Sequence, residues 1–215
     1  MKTYAVFLRQ KTVTDGAYML YLNMYCQNQI NEAEIMKKRL SREEGLKLLK
    51  EYGTPEHVIR HCIAVTDTAV AIGRALNKAG YSLDIDLIQG AAIIHDIARV
   101  EDKHWEVGAD IAKKLGYDDE ADIIRVHMFY PEFSPIDKAN ETDMVCLGDR
   151  LVKEDRYVGL DERIDYVINK ARKKGAGEDV INNILKKKQE AGEFIRGIER
   201  KTGRSIDDIA LGKDN

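Results

Sequence analysis

Apolar positions recur at helical spacing through most of the chain. Starting from Val58, the residues Cys62, Val65, Ala69, Ile72 and Leu76 follow at intervals of three or four, which places them on one face of a helix. Thr54-Pro55 marks its start, with Thr54 as N-cap and Pro55 in the first turn, where a missing N–H costs nothing; Gly80 marks its end. A second helix begins near Ser82 or Asp84 and carries Leu87, Ile88, Ala91, Ala92, Ile93 and Ile94 into His95-Asp96. It is apolar on nearly all sides, so it is predicted to be central and buried. A third runs from about His104 to Leu115 and stops at Gly116, a left-handed cap position. A fourth covers Glu120 to about Met128, ahead of a loop punctuated by Pro131 and Pro135.

The pattern then predicts helices over about Thr142–Asp155 and Glu162–Lys173. After Gly175 and Gly177 comes a long amphipathic helix striped by Ile181, Ile184, Leu185, Ala191, Phe194, Ile195 and Ile198, with Lys186 to Lys188 on its solvated face. Residues 1–50 divide into a β-capable piece, Tyr4–Leu8, and helical patterns around Ala17–Cys26, Glu32–Leu40 and Arg42–Tyr52. They form an N-terminal extension with no assigned chemistry, and residues 51–215 form the main domain. No fixed-period repeat or low-complexity segment interrupts this order.

Composition narrows the class. The chain has 215 residues, 44 % of them apolar, which is enough for one substantial core. With only three prolines, it reads as all-α with almost no sheet. Lys plus Arg (34) nearly cancel Asp plus Glu (37). No strong overall field would attract nucleic acid or an anionic membrane, so a phosphate-binding surface would have to be local. Cys26, Cys62 and Cys146 are odd in number and far apart, which argues for free buried thiols in a reducing compartment. The stretch Ala17–Cys26 is too short to span a bilayer and lacks the layout of a signal peptide, so a cytoplasmic location is expected.

All five histidines lie between positions 57 and 127, and four of them share the apolar side of their own helix. His61 adjoins the Val58, Cys62, Val65 stripe; His95 continues Ile88, Ala91 and Ala92; His104 shares a face with Val107, Gly108 and Ile111; His127 follows Ile123 and Ile124. Asp149 falls among Val145, Gly148 and Val152, and Asp96 ends the most apolar helix. Each buried polar group without a partner costs about 1–3 kcal/mol, and a carboxylate more. A shared metal centre would satisfy all six at once.

The order H…HD…H…H…D resembles the HD-domain metal-dependent phosphohydrolase superfamily over roughly residues 50–170. The matching stretches are His61-Cys62-Ile63-Ala64-Val65, then Ala91 to Arg99 around His95-Asp96, His104 with Gly108-Ala109, His127, and Gly148-Asp149-Arg150-Leu151. The resemblance implies an HD-type helical bundle with a short N-terminal helical extension and a long C-terminal helix. It also implies two metal ions, one held by His61, His95 and Asp149 and the other by His104 and His127, with Asp96 bridging. Many relatives read HD-x-x-K, whereas Arg99 stands here; it keeps the positive charge but as a planar fork. Asp96 and Arg99 are the candidate catalytic residues. Arg99, Lys103, Lys153, Arg156 and His57 are candidate substrate contacts, with Arg125 nearby; Lys153 and Arg156 follow Asp149 at spacings of four and seven, along one helical face.

Imidazole and carboxylate ligands without thiolates suit iron or manganese first, with nickel and zinc allowed. Two such ions about 3.5–4 Å apart would lower the pKa of a bridging water, whose hydroxide could attack phosphorus in line. The expected activity is hydrolysis of a phosphate ester or anhydride of a small substrate, a nucleotide above others. A two-iron oxygenase of the same fold and a non-catalytic metal- or nucleotide-binding sensor stay open as alternatives, as does a homodimer. No feature supports a nucleic-acid or membrane partner.

Overall fold

A computed structural model describes residues 38–128 and 132–213. The chain divides into two compact units, Met1–Lys38 and Arg39–Asn215, and the description that follows concerns the second. The expectations for Tyr4–Leu8, for Ala17–Cys26 and for most of Glu32–Leu40 lie outside the described residues, as do Cys26 and Pro131.

Nine α-helices, a single 3₁₀ turn (Ile136–Lys138) and one short hairpin make up the described part: α1 Arg42–Glu51, α2 Glu56–Lys78, α3 Ile85–Ile94, α4 His104–Lys114, α5 Asp118–Val126, α6 Glu141–Leu151, β1 Val152–Lys153, β2 Arg156–Tyr157, α7 Gly159–Lys173, α8 Glu178–Thr202 and α9 Ile206–Ala210. The fold is all-α, as the composition predicts. No described helix is long and apolar enough to cross a membrane.

The most apolar helix, α3, lies at the centre. Ile88, Ala91, Ala92, Ile93 and Ile94 are fully buried. On one side α3 joins α2, α6, α8 and α9 through Ile72, Leu76, Met144, Leu147, Phe194 and Ile198. On the other it joins α1, α4 and α5 through Leu49, Ile97, Ala109, Ala112 and Ile124. Burying an aliphatic side chain of this kind stabilises by roughly 1.5–3 kcal/mol. Both clusters therefore hold the ends of α3 firmly. Helix α1 falls within the segment assigned from sequence to the extension, and it packs inside the unit that carries the other helices. Its Ser41 and Glu44 form a reciprocal capping box.

Helix starts differ from the sequence expectation in places: α5 begins at Asp118 rather than Glu120 and α7 at Gly159 rather than Glu162. Thr54 does not cap α2; its hydroxyl donates to the Ile97 carbonyl at 2.8 Å, and Pro55 is the N-cap, without a side-chain bond. Thr54 thereby pins the turn that follows α3. Asp84 caps α3 by accepting from the Leu87 N–H. Gly116 takes the left-handed conformation after α4 (φ +83°), as expected.

The main correction falls after α6. A helix to Asp155 was expected; the helix ends at Leu151, and Val152–Tyr157 and Lys153–Arg156 pair as an antiparallel hairpin. Val152 is fully buried, so an extended backbone lets this β-branched side chain reach the core while the chain reverses through Glu154 in a left-handed conformation (φ 56°). In α8, Leu185 is exposed rather than part of the buried stripe, and α9 was not anticipated.

Helix α6 meets α2 at Gly148. A Cβ there would lie 3.1 Å from both the Val65 carbonyl oxygen and Ala69 Cβ, so a methyl group can be accommodated only if the helices separate. Gly148→Ala is expected to destabilise the protein by about 1–3 kcal/mol, read as a lower urea midpoint at unchanged m-value; an unshifted midpoint would refute this contact.

Candidate metal centre

The cluster forms where helix ends meet. His95 is the C-cap of α3 and His127 the C-cap of α5; Asp149 lies in the last turn of α6. Three helix C-termini thus surround the site, and each carries a partial negative charge that favours a cation. His104 opens α4, and His61 projects from the second turn of α2. Between α3 and α4 the chain turns tightly, with Ile97 N donating to Ile94 O and Arg99 N to Asp96 O at 3.0 and 2.9 Å. That spacing sets Asp96 and Arg99 on the same side. Lys103 then adopts a left-handed backbone (φ 52°), which sends His104 back toward Asp96.

Backbone carbonyls orient the imidazoles. With the protons placed on Nδ1, His95 donates to Ala92 O at 2.8 Å and His127 to Ile124 O at 2.7 Å. These are last-turn carbonyls; Ala92 O also accepts from the His95 N–H at 3.5 Å. The arrangement leaves Nε2 of each ring as a bare lone pair directed inward, as a metal-ligating histidine requires. Among the described residues, His95 Nε2, His127 Nε2 and Asp96 Oδ1 are buried without any hydrogen-bond partner.

Distances tie the group together. Asp96 Oδ1 lies 3.2 Å from His104 Nε2 and 3.6 Å from His127 Nε2, while Oδ2 lies 3.7 Å from His95 Nε2. Ligands about 2.1 Å from one ion sit roughly 3–4 Å from each other, so these separations fit shared coordination. Ligand atoms of His61, His95 and Asp96 lie within 4.8 Å of one another, and so do those of Asp96, His104 and His127. Asp96 belongs to both sets. Asp149 joins through His61, its Oδ1 being 3.1 Å from His61 Nε2.

The electrostatics favour added positive charge. Burial would raise the pKa of Asp96, but His95, His104, His127 and Arg99 outweigh it and hold the carboxyl well below the usual range. For Asp149 too, burial is outweighed, by His61 first and then by Arg163 and His95. Both groups are therefore ionised in the interior. Burial lowers the pKa of His95 to about 4, so it is neutral. His61 faces an acceptor with each nitrogen, Glu154 O at 2.7 Å and Asp149 at 3.1 Å. Both contacts are favourable only if Nε2 carries a proton or a metal ion in its place. Burial opposes the charged ring, yet Asp149 and the Glu154 carbonyl raise its pKa.

The other predicted residues divide. Arg99 lies at the mouth, 41 % exposed, with Nε 3.3 Å from Asp96 Oδ2 and Nη1 3.3 Å from both ring nitrogens of His104. Lys103 points to Glu106, and Arg125 pairs with Asp110 at 2.7 Å. His57 is exposed one turn before His61 and is not part of the cluster. Lys153 and Arg156 do not share a helical face with Asp149; they sit on the hairpin and both contact Glu162. Two participants escaped the sequence pattern. The Glu154 carbonyl acts through its backbone, and Arg163, one helix further on, places Nη2 3.7 Å from Asp149 Oδ1 and donates from Nε to Asp149 O at 3.3 Å. Neither carries a spacing signal. Cys62 and Cys146 are buried free thiols, and burial raises both, Cys146 to about 12. They stay protonated and are not ligands.

Residues 58–156 match the family model of the HD domain, a span that contains all six clustered side chains. An uncharacterized protein of Methanocaldococcus jannaschii is 26 % identical over 167 residues, covering 67 % of this chain and 98 % of that protein. A tRNA (cytidine(56)-2'-O)-methyltransferase of Thermoplasma volcanium is 31 % identical over 166 residues, covering 69 % of this chain and 46 % of that enzyme, so the chain spans less than half of it. No solved structure matches the chain.

A folded-state pKa near 4 for His95 lies below the value of 6.5 for a free imidazole, so on acidification the unfolded chain takes up the proton first. The metal-free protein is expected to lose about 1.4 kcal/mol per pH unit at this group between those two values. Urea unfolding of metal-free wild type and His95→Gln from pH 7 to 4.5 tests this: the variant should show a shallower acid limb, and equal limbs would contradict the assignment.

Proposed function

We propose that this chain, which belongs to the HD-domain superfamily, is a metal-dependent phosphohydrolase that cleaves a phosphate ester or anhydride of a small substrate, a nucleotide above others. The observation that carries this reading is the set of buried, unpartnered atoms, His95 Nε2, His127 Nε2 and Asp96 Oδ1, turned toward one another beside an ionised carboxylate. Divalent cations would satisfy all of them at once.

The residues fit two ion positions that share Asp96. His61, His95 and Asp149 would hold one, and His104 and His127 the other. The donor set suits iron or manganese. Bound ions would supply Lewis acidity, lowering the pKa of water and drawing in phosphoryl oxygens. The chain itself does the rest. Asp96 supplies the negative charge that both positions need. The burial of His95, His104 and His127 keeps competing water away from the ligand atoms. Arg99 presents a half-exposed guanidinium beside Asp96, where it can hold a phosphate oxygen and offset the charge that builds up on it. Since one relative is by name a tRNA-modifying enzyme, RNA belongs in the substrate panel.

Protein loaded with manganese or iron is expected to hydrolyse at least one member of a broad phosphate-ester panel, and to lose that activity on chelation and regain it on metal return. A metal-replete protein inert across the panel would overturn the reading. Elemental analysis should show two ions per chain in the wild type and a value approaching one in His104→Ala or His127→Ala; two retained ions would reject the second position. Arg99→Ala is expected to lower kcat/KM by about 10–100-fold, the effect of one charged hydrogen bond, with metal content unchanged.

A further inference from the structure

A basic stripe on α7 leads away from the metal centre. Arg163, Tyr166, Lys170 and Lys173 follow at spacings of three, four and three, which aligns them along one side of the helix. The helix buries a different side, Ile164 and Ile168, against Ile181. Lys153 reaches in from the hairpin. The Tyr166 ring is ringed by cations: Lys153 Nζ at 5.4 Å, the Arg163 guanidinium at 5.8 Å and Lys170 Nζ at 5.9 Å from its centroid. Arg163 is also the residue that touches Asp149. A continuous path of contacts therefore joins the site to the stripe.

Carboxylates do not balance this cluster. Glu162 is shared between Lys153 and Arg156, and Asp149 is engaged by His61 as well as Arg163. Asp161 is occupied by Lys188 at 2.6 Å, and Asp165 lies about 200° around the helix from Arg163, on the opposite side. Among the described residues no carboxylate pairs with Lys170 or Lys173. Like charges gathered around one ring repel unless an anion lies between them.

We propose that Lys153, Arg163, Lys170 and Tyr166 form a second phosphate subsite, so that the substrate carries two or more phosphate groups, one at the metal centre and the next on this stripe. The proposal rests on the phosphohydrolase reading and narrows it. A nucleoside polyphosphate and a short phosphodiester chain present the same chemistry here. Tyr166 contributes a flat face that keeps the three cations apart and can receive a base or ribose.

Direct binding distinguishes the sources and does not depend on turnover. Titration calorimetry of the metal-loaded protein would compare orthophosphate, AMP, ADP, inorganic tripolyphosphate and an eight-residue single-stranded oligonucleotide. At least one ligand with several phosphates is expected to bind about tenfold tighter than AMP, with an affinity that falls as salt rises. ADP and tripolyphosphate leading would identify a polyphosphate substrate; the oligonucleotide leading would identify a phosphodiester one. The double variant Lys153→Glu/Lys170→Glu should erase the preference, whereas Lys186→Glu on α8 should keep it, with unchanged melting and metal content as the check on folding. Equal affinity for one and several phosphates, or a preference that survives the double variant, would overturn the subsite. Binding of this pattern without hydrolysis of any panel member would instead sink the phosphohydrolase reading and leave the subsite in place.

Discussion

The carboxylate of Asp96, ionised and nearly buried at the meeting point of four imidazoles, is the constraint around which the unit is arranged. A charge in that position is tolerable only if positive charge lies close by on several sides. Arg99 supplies part of it from the mouth. Two of the neighbours, His95 and His127, turn lone pairs rather than protons inward, because the backbone carbonyls of Ala92 and Ile124 hold their Nδ1 protons. The protein thus sets an anion against two inward-facing imidazole nitrogens, which is an environment that suits a cation.

That arrangement depends on helix ends more than on helix faces. The C-termini of α3, α5 and α6 bring last-turn carbonyls to the site; two of these carbonyls, Ala92 O and Ile124 O, orient imidazoles, and the combined dipoles add to the negative potential. The scaffold behind them is apolar and rigid. The second half of α3, Gly90–Ile94, is buried throughout, so its end cannot shift without opening both core clusters. Gly148 lets α6 approach α2 closely enough for Asp149 to meet His61.

The hairpin after α6 serves the same centre from outside. Its turn residue Glu154, in a left-handed conformation uncommon for a side chain of this size, aims a carbonyl at His61. The reversal also returns the chain so that α7 lies beside Asp149 and delivers Arg163. Positive charge therefore reaches the centre from two sides, Arg99 next to Asp96 and Arg163 next to Asp149. Under the proposed phosphohydrolase reading, these flanks would hold a phosphorylated ligand.

Much of this was legible in the sequence because helices announce themselves locally. The stripe from Val58 to Leu76, the apolar run into His95-Asp96 and the left-handed glycine after α4 each predicted an element within a few residues of its observed place, since backbone hydrogen bonds and burial act over three or four positions. The same periodicity exposed the polar residues on apolar faces. It could say nothing about what lies across the fold. Which imidazoles gather around Asp96 depends on how the ends of α3, α4 and α5 meet, while the place of Arg163 and the removal of Lys153 and Arg156 from the face of Asp149 follow from a two-residue turn too short to have a period. Those features follow from packing between elements far apart in the chain, and only the tertiary structure decides them.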